Sequence, residues 1–179
     1  MKAALDAIWD WRDTLDLEIY LAGRPVRDMW HQPGSARGYD FIPLRNVDDL
    51  RAEARAMRNC VRDYGDSVAW DQSRLWRVSR AGEHVATLEI CRQDLSPVPA
   101  IRQLCLKEND QAPPEVWLAA HEWIAAQPSH VLSARPVQFA AMRPDDGVWR
   151  ALWKPYWLDR RCIPPWLPLS PNRQSLYDL

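Results

Sequence analysis

The chain of 179 residues reads as an α+β domain, with about three helices packed on a small antiparallel sheet and a Trp/Pro-rich C-terminal tail. Three observations predict this. From Asn46 to Tyr64 apolar residues recur at alternating spacings of three and four, the period of a helix with one buried face. From Arg74 to Cys91 the period switches to two around Gly82, which marks a hairpin. After Pro113-Pro114 the helical period returns.

The first helix of this core is predicted over 47–64. Its apolar stripe runs through Val47, Leu50, Ala54, Met57, Val61 and Tyr64. Asn46 is suited to cap it, because its side chain can accept from a backbone N–H of the first turn. Asp48 and Asp49 fall where the positive end of the helix dipole favours them. Gly65 is the expected left-handed stop. Arg51, Arg55, Arg58 and Arg62 occupy the other side. Cys60 lies at the edge of the stripe and has two readings. As a small hydrophobe it belongs to the core. As a nucleophile it would be helped by Arg58 and Arg62 and opposed by the helix C-terminus, which disfavours thiolate.

Strands are predicted over 74–80, 85–91 and 100–106, the first two joined by a loop longer than two residues. Trp76 and Val78 share a face with Ala86, Leu88 and Ile90, and that face is expected to cover the long helix. Arg77, Thr87, Glu89 and Gln103 point the other way. A solvated face with an Arg77–Glu89 cross-strand pair is one reading. A polar cleft is the other, with Cys60 as nucleophile, Glu89 as general acid/base, Gln103 as positioning amide and Tyr64 beside them. The cleft requires that all four share one wall.

The order of short motifs resembles the PcfJ-like family. The residues that carry the likeness are Met57-Arg58-Asn59-Cys60-Val61-Arg62-Asp63-Tyr64, Leu75-Trp76-Arg77-Val78, Ala86-Thr87-Leu88-Glu89-Ile90, Gln103 and Asn109. Family members show His-Cys-Val followed closely by Tyr, then Thr-x-Glu on a strand pair, then Gln and Asn. Here Asn59 stands at the His position, so a base beside Cys60 is missing. The likeness covers about a third of the chain. It implies an accessory or interaction protein of conjugative plasmids and related bacterial mobile elements, and no particular reaction.

Around this core, residues 3–21 follow the helix period, with Asp6, Asp10, Asp13 and Asp16 on one acidic side. Residues 23–43 read as a loop pinned by Trp30, Tyr39 and Phe41. Pro113-Pro114 opens a helix to about Gln127, with Val116, Trp117, Ala120, Trp123 and Ile124 on its apolar side, expected beside the long helix on the sheet. An edge strand is predicted over 137–140 and a short helix around Trp149 and Trp153. Five prolines between Pro155 and Pro171 forbid regular helix or central strand there. The organisation is one domain, 1–179, with a core at 46–127 and an extension at 133–179.

Composition narrows the function classes. Hydrophobic residues make up 47% and the net charge is −1, so no global basic field draws the chain to nucleic acid. Nucleic-acid binding stays an alternative through the helix arginines and the tail, where seven basic residues face three acidic between Arg135 and Arg173. The four cysteines and four histidines show no metal-ligand spacing, so no metal or other cofactor is expected. With no apolar run of about 20 residues and no secretory pattern, the expected location is the cytoplasm, with reduced thiols. No phosphate-binding glycine loop or Ser-His-Asp order is present. The leading expectation is a protein partner, with an enzyme of unspecified reaction as the alternative.

Overall fold

A computed structural model describes residues 24–93, 96–128 and 131–132, together with Leu17, Tyr20 and Leu21. The predictions for 137–140, for the short helix after it and for the proline-rich tail lie outside these residues. So does most of the predicted helix over 3–21, of which Leu17, Tyr20 and Leu21 are helical.

Five antiparallel strands form one sheet in chain order: β1 (Gly34–Ala36), β2 (Tyr39–Pro43), β3 (Ser73–Arg80), β4 (Glu83–Cys91) and β5 (Ala100–Cys105). Helix α1 (Val47–Met57) follows β2. A 3-10 turn (Cys60–Tyr64) and the short α2 (Gly65–Ala69) lead into β3, and α3 (Pro114–Ala125) follows β5. The fold is the predicted α+β class, with two more strands than expected. Residues 34–43, read as loop, are a hairpin whose turn residues Arg37 and Gly38 both have positive φ (51° and 77°). Ala81 and Gly82 (φ 50° and 84°) close β3 and β4 in the same way, so that loop has only two residues. Such turns match the twist of the strands they join. The β1–β2 signal was hidden because Arg37 is an uncommon choice for a left-handed position.

The helix predicted over 47–64 breaks. Asn46 caps it as expected, accepting from the Asp49 N–H at 2.8 Å, but α1 stops at Met57. Arg58 turns left-handed (φ 49°, ψ 46°) and Asn59 becomes extended. Asn59 then caps the next turn, its Oδ1 accepting from the Val61 N–H at 3.3 Å. Asparagine suits both caps because its short amide competes for nearby backbone groups. Gly65, expected as a left-handed stop, is right-handed and opens α2 instead.

The two larger helices cover opposite faces of the sheet, so the expected side-by-side packing is incorrect. α3 covers the apolar face. There Phe41, Trp76, Val78, Leu88 and Ile90 pack against Val116, Ala119, Ala120 and Trp123. Ala119 and Ala120 allow the helix to approach, and Gly34 lets β1 pass under Trp123: a Cβ on Gly34 would sit 3.3 Å from its indole Nε1. α1, the 3-10 turn and α2 cover the face holding Leu75, Arg77, Thr87 and Glu89. A second core there joins Leu44, Val47, Leu50, Val61, Val68 and Leu75 to Leu17 and Leu21. That face is not solvated, because a helix lies on it.

Met57 is buried at the end of the α1 stripe. Met57→Ala is expected to lower stability by about 2–4 kcal/mol through the cavity it leaves. Chemical denaturation checks this; a loss below about 0.5 kcal/mol, the scale of a surface substitution, would mean the site collapses freely.

Candidate functional site

The break after Met57 positions the site. It swings the 3-10 turn over the end of the sheet, so that Asn59, Cys60, Val61 and Tyr64 face Leu75, Thr87, Glu89, Gln103 and Cys105 on β3, β4 and β5. The loop after β5 supplies Asn109 as the remaining wall. These side chains enclose a small cleft of about 20 Å³, room for one water-sized group. The loop carries backbone strain and is held by a clamp. Glu108 and Asn109 are both left-handed, at φ 62°, a conformation non-glycine residues rarely adopt in succession. Glu108 Oε1 meets Arg58 Nη1 at 3.0 Å, tying the loop to the residue where α1 ends.

Glu89 is the charged centre and only 2% exposed. Its Oε1 accepts from Ser73 Oγ at 2.7 Å and its Oε2 from the Tyr64 hydroxyl at 3.0 Å. A bulge in the β4–β5 pairing brings a third partner. Gln103 pairs with Glu89 and Ile101 with Ile90, which leaves Arg102 as the extra residue. Its Nη1 lies 3.6 Å from Glu89 Oε1. Burial, and then the Glu89 charge, push the Tyr64 phenol well above its ordinary range. Tyr64 is therefore a neutral donor throughout the physiological pH range. Its oxygen is also 3.4 Å from Gln103 Oε1, and Gln103 Nε2 donates to Cys105 Sγ at 3.0 Å.

Cys60 is the first residue of the 3-10 turn, not the last turn of a long helix. Burial raises its pKa and outweighs a backbone hydrogen bond that lowers it; the charges of Asp63, Cys105 and Glu89 raise it further. Its sulfur lies 4.0 Å from Asn109 Oδ1. Asn59 is buried and donates its Nδ2–H to Thr87 Oγ1 at 2.9 Å. Cys60 is thus a protonated thiol at neutral pH, with no histidine among the described residues lining the cleft.

All four predicted site residues, Cys60, Tyr64, Glu89 and Gln103, share this cleft. The predicted Arg77–Glu89 pair does not form. Arg77 lies opposite Thr87, and Leu75 and Gln103 flank Glu89. Arg77 Nε instead donates to Glu53 Oε2 at 2.8 Å. Glu53 is fully buried on α1, and its Oε1 accepts from Thr87 Oγ1 at 2.7 Å. His84 Nδ1 approaches Oε2 at 3.4 Å. A bulge at Val78/Ser79 shifts the β3–β4 register beside it. Asn59, Thr87, Glu53 and Arg77 thus form a continuous polar chain behind the cleft. Glu53, Ser73 and Arg102 were not foreseen. Glu53 follows Leu50 by three and precedes Met57 by four, so the helix period does place it on the buried row.

Arg51, Arg58 and Arg62 each have a partner within the fold. Arg51 Nη1 is 3.7 Å from Asp48 and Arg58 pairs with Glu108, while Arg62 is also engaged. Among the described residues, no group of three or more His, Cys, Asp or Glu is placed to hold a metal ion. No described helix is long and apolar enough to cross a membrane. Cys60, Cys91 and Cys105 are free thiols.

Fold and cleft together define an α+β domain with an enclosed polar site between a sheet end and a broken helix. No family model, curated protein or solved structure matches the chain.

Proposed function

We propose that the chain is a PcfJ-like accessory protein of a bacterial mobile genetic element. It acts by binding a protein partner, and the Cys60–Tyr64–Glu89–Gln103 cleft is where a polar group of that partner is recognised. One observation carries this reading. Asn59, Cys60, Val61, Tyr64, Thr87, Glu89, Gln103 and Asn109, far apart in sequence and the basis of the family likeness, line one small cleft. Its size suits a single polar group, and its floor is a carboxylate fixed by Ser73 and Tyr64. Such fixed polar groups set specificity in a binding site.

A photo-crosslinking residue at position 103 tests this in the native host. The expected result is one crosslinked partner, lost when Glu89→Gln is added and absent when the crosslinker replaces Ala125 on the far side of the sheet. Equal capture from both positions, or capture indifferent to Glu89→Gln, would end the proposal.

The enzyme reading keeps one observation in its favour: the four predicted catalytic residues share a cleft. Against it stands the thiol, which lacks a base and is held in its protonated form.

A further inference from the structure

We propose that the groove along the outer side of α3 is a docking site for the chain's own proline run, residues 165–171. The groove is independent of the cleft and lies on the opposite layer. Pro113, Pro114, Trp117, Leu118 and His121 line an open volume of about 650 Å³. Leu118 is 53% exposed. The Trp117 and His121 rings stack with centroids 5.9 Å apart. Prolines beside paired rings make the kind of surface that takes an extended polyproline segment, which arrives preformed and loses little entropy on docking.

The occupant is read from the sequence. Pro165, Pro168 and Pro171 are spaced by three. Three residues make one turn of a polyproline helix, so in that conformation these prolines would share one ridge. Trp166, Leu167 and Leu169 fill the positions between them with apolar side chains, and Arg173 follows two residues after the ridge. Asp110 and Glu115, both exposed, stand next in sequence to the groove residues Gln111 and Pro114 and complement that charge.

The connection is long enough. Leu132 is buried in the same core as Val116 and Ala120, with its N–H donating to the Pro97 carbonyl at 2.8 Å. The 32 residues between Leu132 and Pro165 set an upper reach of about 100 Å. The whole of α3, with 12 residues, is about 18 Å long. Tethering places the ridge at an effective concentration of about a millimolar at the groove, which favours the chain's own segment over an equal one on another molecule.

Limited trypsin digestion of the full chain tests this, followed at Arg161 and Arg173. Docking slows cleavage in proportion to the population of the open form. Pro165→Ala/Pro168→Ala and, separately, Leu118→Glu are each expected to speed both cuts about tenfold, with only the small drop in thermal midpoint that loss of the docked segment brings. In the proline variant, hydrogen exchange over 114–121 should rise in parallel. The tail substitutions keep the test valid if Leu118→Glu unfolds α3. Cleavage and exchange unchanged in the proline variant would overturn the proposal. Protection that disappears on dilution would also overturn it, by assigning the groove to a second copy.

Discussion

Trp123→Ala is expected to lower the unfolding free energy by about 3–5 kcal/mol. Trp123 is buried at the centre of that core. Its ring stacks on Phe41 with centroids 4.5 Å apart and planes 4° apart, and meets Trp76 edge-on at 4.8 Å. Gly34 passes directly beneath it. Truncation removes a side chain that touches β1, β2 and β3 together, and neighbours this close-packed collapse only partly into the space. Urea denaturation measures the loss. A change below about 1 kcal/mol, the average for any point substitution, would show that α3 does not close this face.

Glu53→Ala is expected to cost a similar amount, about 3–5 kcal/mol, for a different reason. Glu53 is fully enclosed between α1 and the sheet, where it accepts from Arg77 Nε and from Thr87 Oγ1. Its removal leaves the Arg77 guanidinium beneath α1 without its carboxylate and the Thr87 hydroxyl without its acceptor, which is costlier than the pair itself is worth. The control follows from the same physics. Replacing both partners, as Glu53→Leu/Arg77→Leu, should recover most of the loss, because no unpaired charge then remains. A double variant as unstable as the sum of the two single ones would contradict this.

The contrast between these sites shows what the sequence made legible. Trp123, Trp76, Val78, Leu88 and Ile90 were assigned to the core from period alone, and they form it. The polar residues were assigned to the correct face, but what covers that face was not foreseen. Apolar counting favoured packing α1 on the tryptophan face. The decisive residue is Glu53, a charge on the buried row whose partner Arg77 lies on the other face of β3. A carboxylate and a guanidinium 24 positions apart give no local signal of pairing.

Likewise Arg102 reaches Glu89 only through a bulge, which shifts the alternation by one residue and leaves no mark in the composition. The break at Arg58-Asn59 did have a signal. Asparagine within a helix interior competes with the backbone and suits a cap, but the unbroken apolar spacing through Val61 and Tyr64 masked it. That break brings Cys60 and Tyr64 over Glu89 and Gln103, so the least legible local feature is the one that assembles the cleft.

The central claim is that this cleft recognises a group through a fixed carboxylate and neutral donors, with Cys60 a protonated thiol. The most direct measurement is the alkylation rate of Cys60 in the native chain against pH, resolved by peptide mass analysis. Burial and nearby negative charge raise the pKa, so thiolate is scarce at neutral pH and labelling is expected to be slower than for a free thiol. The rate should climb only above the range where an ordinary cysteine ionises, about pH 8.5. Cys60→Ser should keep the crosslink from position 103. Labelling at pH 7 faster than a free thiol, together with loss of function in Cys60→Ser, would contradict the account and make Cys60 a nucleophile.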